Sequence, residues 1–156
     1  MAVVKDVMKV PADITTKSRS ITKPGVYAIL AKGDRVESTL PGFKGVTARV
    51  MTTAALGAKF VEHELLVQPG GGTTRPIDQE FEHFLFVIEG SIEFETGGQK
   101  HQFETGGFAW LPPHTAFGFT STSSELTRML WLRRRYEATE GVPVPEGEHR
   151  HLGDAQ

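Results

Sequence analysis

The sequence of 156 residues contains no cysteine, which excludes disulfides, thiolate metal sites and cysteine nucleophiles. It also lacks any apolar run near the roughly 20 residues that a membrane-spanning helix needs. The charged residues Lys5, Asp6 and Lys9 interrupt the N-terminal segment before it reaches the length of a signal-peptide apolar region. We therefore expect no membrane association and a cytoplasmic location, which agrees with the missing cysteines.

An excess of positive charge is missing as well. Lysine and arginine total 17, aspartate and glutamate total 19, and the formal net charge is −2. A domain that binds nucleic acid broadly is usually basic, so we expect no nucleic-acid partner. The length predicts one ordinary domain that is large enough to bury a hydrophobic core without disulfides or structural metals.

Helical periodicity is absent between residues 26 and 135, and the pattern there is all-β. Short β-rich stretches alternate with glycine and proline turns, which is typical of a sandwich or barrel. We expect an N-terminal arm over residues 1–23, a barrel over 24–136 and a linker-like or disordered tail over 137–156. The predicted strands cover residues 26–30, 46–51, 58–67, 84–95 with a break at Gly90, 99–103, 108–111, 116–119 and 126–133.

The strand that begins at Phe84 is apolar on both faces. Phe84, Phe86 and Ile88 share one face, whereas Leu85 and Val87 share the other with His83. An outer face of this kind leaves a patch that monomers seldom tolerate. We expect self-association or a second domain to cover it. The competing interpretation is that the N-terminal segment folds back over the patch.

Residues 69–119 have the glycine and proline spacing of a cupin, a jelly-roll β-barrel that holds a metal with residues from two motifs. Gly90 closes the first motif, Gly106 and Pro112 fit the second, and His114 stands where a turn glycine is expected. The four metal-ligand positions fall on Pro76, Asp78, His83 and Phe117. Proline and phenylalanine side chains cannot coordinate a metal, and a catalytic metal site normally has three protein ligands. We therefore expect a metal-free barrel, with Asp78 and His83 as a possible interior polar site.

Two further groups are decoys in this interpretation. His149 and His151 have the His-x-His spacing but lie in the predicted tail, where a solvated pair is expected. The run Arg133 to Arg135 could hold an anionic ligand, but alternation sends neighbours to opposite sides of a strand. We take the run as a solvated strand end.

Beyond the cupin spacing, the sequence resembles the N-terminal half of the (S)-ureidoglycine aminohydrolase family, which consists of two-cupin enzymes of purine and allantoin breakdown. The resemblance extends over nearly the whole chain. It rests on residues 19–23 (RSITK), 25–30 (GVYAIL), 40–43 (LPGF), 56–60 (LGAKF), 82–90 (EHFLFVIEG), 106–113 (GGFAWLPP), 134–136 (RRY) and 140–141 (EG).

The resemblance implies a non-catalytic cupin half. In the family, manganese and the residues that act on the substrate lie in the second cupin, so no catalytic residue can be carried over by position. The implied reaction is hydrolytic release of ammonia from ureidoglycine, giving ureidoglycolate. The alternatives are a stand-alone, metal-free cupin for small-ligand binding or assembly, and a divergent mononuclear enzyme that uses Asp78 and His83.

Overall fold

The computed structural model describes residues 19–77 and 80–154. Within them the chain is all-β, as predicted, with three short 3-10 turns at Lys32–Asp34, Ala54–Leu56 and Leu152–Asp154. The strands are β1 (Ile21–Lys23), β2 (Tyr27–Ile29), β3 (Glu37–Ser38), β4 (Phe43–Thr52), β5 (Val61–Thr73), β6 (Phe81–Glu89), β7 (Ser91–Thr96), β8 (Gln99–Glu104), β9 (Gly107–Leu111), β10 (Phe117–Ser121), β11 (Thr127–Arg135) and β12 (Glu148–His151).

One antiparallel sheet of ten strands curls into a nearly closed barrel. Its order is β12-β9-β6-β11-β5-β10-β7-β8, and β4 pairs with β5 and β3. The long strand β5 pairs with β11 through Val61–Val67, and beyond its bend with β10 at Gly72. The two end strands meet where the rings of His101 on β8 and His149 on β12 lie 4.0 Å apart. Strands β1 and β2 form a separate two-stranded ribbon.

Alternation along the strands builds the core. On β6, His83, Leu85 and Val87 are buried while Phe84 and Phe86 are half-buried on the outer face, which confirms the predicted parity. The same period of two places every second residue of the other long strands inside. The buried apolar residues are Val46, Ala48, Leu65, Val67, Leu85, Val87, Ile92, Phe94, Phe103, Ala109, Leu111, Phe117, Phe119, Met129 and Trp131.

Close backbone approach requires glycine at two positions of the barrel wall. A Cβ added at Gly72 would lie 2.1 Å from the carbonyl oxygen of Phe119 on β10. One added at Gly90, where φ is 91°, would lie 2.5 Å from Oγ1 of Thr127, so the turn between β6 and β7 favours glycine. By contrast, the turn position of the second cupin motif is occupied by His114, which has a φ of 62°.

All eight predicted strands are present, and the predicted break at Gly90 separates β6 from β7. The sequence analysis missed β1, β3 and β12. Part of the segment predicted as a linker-like or disordered tail is ordered, because Glu148–His151 form β12 and pair with β9. The N-terminal arm lies mostly outside the described residues, so the domain boundaries stay predictions. None of the helical turns in the described part of the chain is long or apolar enough to cross a membrane.

Candidate functional site

Three of the four predicted ligand positions meet at one end of the barrel. Ile77 and Phe117 exchange backbone hydrogen bonds, with N–H to O distances of 2.7 and 3.0 Å, so Pro76 lies beside the start of β10. The rings of His83 and Phe117 have centroids 5.0 Å apart. The fourth position, Asp78, lies outside the described residues, so its predicted pairing with His83 stays a prediction.

His83 is a buried, neutral imidazole. Only 2% of the residue is exposed, and its Nδ1 accepts a hydrogen bond of 3.1 Å from Nε1 of Trp131. Burial, together with the smaller effect of the Arg133 charge, lowers the pKa of His83 to about 4. Because Nδ1 accepts, the proton of the neutral ring resides on Nε2. That N–H is buried and finds no partner among the described residues.

This arrangement does not fit a transition metal. The side chains of Pro76 and Phe117 offer no lone pair, and the free lone pair of His83 is already engaged by Trp131. Within residues 19–77 and 80–154, no three histidine, aspartate or glutamate side chains lie close enough to share an ion. A catalytic metal site normally takes three protein ligands. We therefore derive no chemistry through a metal in this barrel.

A cavity of about 580 Å³ opens beside these residues. Its polar groups are two arginines, Arg75 and Arg133, and the described residues that line it include no carboxylate. The guanidinium carbon of Arg133 lies 4.9 Å from the centre of the Trp131 ring, within the range of a cation–π contact. The lining residues are Leu40, Pro41, Gly42, Phe43, Arg75, Pro76, Ile77, Trp131 and Arg133.

The sequence analysis missed Arg133 because it treated the arginine run as a solvated strand end. The structure divides the run. Arg133 has the parity of the buried Trp131 and is half-buried, whereas Arg134 is exposed and donates from Nε to Oε1 of Glu82 at 2.5 Å. The period-two pattern along β11 was the signal that could have found this inward arginine.

His63 is a further buried histidine in the same interior. Its ring centre lies 5.9 Å from that of Trp131, and its Nδ1 has no partner in the described structure. Burial lowers its pKa, and the nearby Arg133 adds to this effect. Among the described residues, the interior therefore brings two buried imidazoles with lowered pKa values next to one guanidinium, and the guanidinium favours an anionic ligand over a cation.

The outer face of the sheet is divided between an apolar half and a charged half. Opposite Phe84 and Phe86 stand Trp110 and Phe108 on β9 and Leu132 and Leu130 on β11. On the adjoining strand β5, Glu64 is only 2% exposed. It is covered by three arginines, Arg35, Arg49 and Arg128.

The predicted decoy histidines lie on β12, away from the cavity. His151 interacts through Nε2 with the carbonyl oxygen of Thr105, and its Nδ1 accepts from the N–H of Gly153. His149 packs against His101 at the junction of the two end strands. These contacts hold the C-terminal strand in place, and they are not arranged as a metal site with the described residues around them.

The barrel, its motif spacing and its degenerate ligand positions define a cupin. The family model described as the cupin domain matches residues 63–133. The chain thus has a cupin-type jelly-roll barrel, and it also resembles a particular two-cupin enzyme. It is 31% identical over 125 residues to (S)-ureidoglycine aminohydrolase of Escherichia coli strain K12, a match that covers 80% of this chain and 48% of that protein.

Solved structures give the same result. Protein Ylba from E. coli superposes with a TM-score of 0.81 at 27% identity, covering 92% of this chain and 59% of that one. A Pseudomonas aeruginosa protein described as glyoxylate-induced superposes with a TM-score of 0.78 at 31% identity, covering 90% of this chain and 54% of that one. The chain thus spans about half the length of the curated relative that it matches.

Proposed function

We propose that this chain is the non-catalytic cupin half of a (S)-ureidoglycine aminohydrolase-like protein. One observation carries the proposal: the chain aligns with about half of the aminohydrolase, yet Pro76 and Phe117 occupy positions where a cupin needs metal ligands. Hydrolysis of ureidoglycine to ureidoglycolate and ammonia would then belong to a second cupin, where manganese would supply Lewis-acid chemistry. This half supplies a scaffold and a pairing surface, and we expect the protein to act in the cytoplasm.

An ammonia-release assay on the purified chain with ureidoglycine and added manganese tests the assignment. We expect no release above buffer, and we expect elemental analysis after dialysis to find no stoichiometric manganese, iron, nickel or zinc. The opposite result would be about one metal ion per chain together with turnover that survives repurification. If His83→Ala abolished that turnover while His101→Ala did not, the chemistry would belong to this barrel.

The apolar half of the outer face is the proposed pairing surface. Phe84, Phe86 and Ile88 are each already partly buried, so each has only the smaller part, at most about a third, of its roughly 1.5–3 kcal/mol burial free energy left to gain from a partner. Their neighbours on β9 and β11 extend the apolar area. A second copy related by a two-fold axis, or the second cupin of the same protein, would bury it.

Sedimentation of the chain against its Phe86→Asp variant tests the pairing surface. A dimer that Phe86→Asp converts to a folded monomer supports it, because a buried carboxylate opposes association. Thr120→Asp is the matched control, since Thr120 is exposed on β10 outside this face. A chain that stays monomeric at high concentration, or a Phe86→Asp variant that stays dimeric, would exclude this face as the contact.

A second candidate is a stand-alone, metal-free cupin that binds a small ligand or serves assembly. The cavity with its two arginines favours this function over the divergent enzyme that uses Asp78 and His83. One simple observation distinguishes the two main candidate functions. Only the first requires a second cupin with intact metal ligands, encoded on the same transcript or next to this one.

A further inference from the structure

Arg133 is a half-buried cation with no neutralising partner in the described part of the chain. No carboxylate lies within ion-pair distance of Arg133 among residues 19–77 and 80–154. Other arginines and lysines in those ranges form eight ion-pair contacts with glutamates. Burial lowers the pKa of its guanidinium, so the barrel bears a desolvation cost for holding this charge. Buried charges are normally paired or bind an ion.

A second arginine faces the same space. Arg75 also lines the cavity, where it is exposed, and it has no ion-pair partner in the described structure. A Cβ added at Gly42 would lie 3.7 Å from its Nε, so the loop before β4 runs close to the guanidinium. Because Arg75 is exposed, water screens its charge, and its contribution is additional positive charge at the edge of the cavity that holds Arg133.

The remaining walls of the cavity are aromatic and aliphatic. The rings of Phe43 and Trp131 have centroids 5.6 Å apart, and Leu40 and Ile77 complete the apolar surface. A cavity of about 580 Å³ lies within the common range of small-molecule sites. Its chemistry suits a ligand with one anionic end and a flat or apolar body.

We propose that this cavity binds a small organic carboxylate, with the carboxylate on Arg133 and its body against Trp131 and Phe43. The planar guanidinium fork matches a carboxylate in a bidentate geometry. Arg75 at the cavity wall adds a second positive charge. Inorganic anions such as sulfate would satisfy the arginines but leave the aromatic wall unused, so they should bind more weakly.

This site is a different property from the one assigned under the proposed function. It requires neither a second cupin nor turnover of ureidoglycine. A failure of the binding experiment below therefore leaves the ammonia-release result unaffected, and the reverse also holds.

Titration of the full chain with sodium benzoate, benzamide and sodium sulfate tests the proposal. Benzamide has the same shape as benzoate without the charge, and sulfate has charge without an apolar body. The chain contains two tryptophans, so its heteronuclear NMR spectrum has two indole N–H signals, and Trp110→Phe assigns the one from Trp131. We expect benzoate to shift the Trp131 signal. We also expect the affinity for benzoate to be at least about tenfold higher than that for benzamide or sulfate, which corresponds to the free energy of one charge-assisted hydrogen bond.

Two neighbouring variants separate binding from stability. Arg133→Met should reduce benzoate affinity about tenfold or more and leave the melting temperature unchanged or higher, because it removes an unpaired half-buried charge. Arg134→Met should leave affinity unchanged, because Arg134 pairs with Glu82 on the outer side. Arg133→Lys keeps the charge but loses the planar guanidinium, so an intermediate benzoate affinity is expected. This variant replaces Arg133→Met in the test if Arg133→Met folds poorly.

Three results would overturn the site. The first is no benzoate-induced shift of Trp131 at millimolar concentration. The second is equal binding of benzoate and benzamide, which would make the cavity an apolar site. The third is a lowered melting temperature of Arg133→Met with unchanged benzoate affinity, which would make Arg133 a structural residue.

Discussion

Replacing Glu64 by glutamine should destabilise the barrel far more than a surface substitution does. Arg128 donates from Nη2 and Nε to Oε1 of Glu64 at 2.7 and 3.1 Å, and Arg35 and Arg49 reach Oε2. The glutamate side chain is 3% exposed, whereas those of Arg35, Arg49 and Arg128 are 13%, 19% and 39% exposed. One buried carboxylate therefore neutralises a cluster of three guanidinium groups.

The size of the effect follows from this geometry. Removing one partner of a buried ion pair costs about 3–5 kcal/mol. The three arginines keep some contact with water, which reduces the penalty, so we expect about 2–4 kcal/mol for Glu64→Gln. In a domain of this size, such a loss lowers the melting temperature by roughly 5–15 °C.

The pH dependence provides an internal check. Burial by itself raises the pKa of Glu64, but the hydrogen bond from Arg128 and the charges of Arg35 and Arg128 outweigh burial, so the pKa lies below its ordinary 4.5. A carboxyl group with a lowered pKa stabilises the fold fully above 4.5 and loses that contribution as the pH falls through the folded pKa. The difference between wild type and Glu64→Gln should therefore shrink in acid.

Thermal unfolding followed by circular dichroism, at pH 7 and at decreasing pH, measures this difference. Glu93→Gln is the matched control. Its ion pair with Lys100 joins side chains that are 42% and 60% exposed, and such exposed pairs contribute little to stability. If Glu64→Gln lowered the melting temperature no more than Glu93→Gln does, or if the difference stayed constant in acid, the account of the arginine cluster would be refuted.

Three other predictions concern the backbone and the strand junction. Gly72→Ala should destabilise the fold by about 2 kcal/mol or more, because its new Cβ would lie 2.1 Å from a carbonyl oxygen. The control Gly33→Ala has open space around the added Cβ and should be nearly neutral. Equal denaturant midpoints for the two variants would contradict this prediction. His114→Val should cost about 1–2 kcal/mol and His114→Gly should not, because φ is 62° at this exposed turn; equal stabilities in urea would show that the turn tolerates any residue. Burial and the nearby His101 lower the pKa of His149 from 6.5, so protonation of His149 below about pH 6.5 destabilises the pairing of β12 with β9. Hydrogen exchange of the β12 amides should therefore accelerate in acid by more than the intrinsic exchange rate changes. The variant His101→Gln should weaken that acceleration.

The fold was predictable because it depends on local patterns. Alternation placed Leu85 and Val87 inside and Phe86 outside, and glycine marked the turn at Gly90, since these depend only on side-chain parity and steric approach. The short strands β1 and β3 were missed because they are edge pieces with few buried residues. Strand β12 was missed because its residues are almost entirely exposed, so no apolar pattern marks it and only its pairing with β9 defines it.

The candidate site was predictable in part. Motif spacing assigned Pro76, His83 and Phe117 to ligand positions; the structure packs His83 against Phe117 and places Pro76 next to the residue that pairs with Phe117. The inward direction of Arg133 could have been inferred from its parity with Trp131. It was missed because a run of three arginines is typical of a solvated strand end. The cluster around Glu64 could not be predicted, because its arginines lie 15 to 64 positions away along the chain.

The guanidinium over Trp131 is a covalent part of the chain, so the charge of the cavity is present as soon as the barrel has folded. A cupin that relies on a metal must acquire its ion, and at such sites copper or zinc compete with manganese or iron according to their intrinsic affinities. This cavity has no loading step and cannot be occupied by the wrong metal through Arg133. Its charge is also constant across the physiological pH range, since arginine stays protonated. Occupancy of the cavity should therefore follow the concentration of its ligand and remain indifferent to the metal supply of the cell.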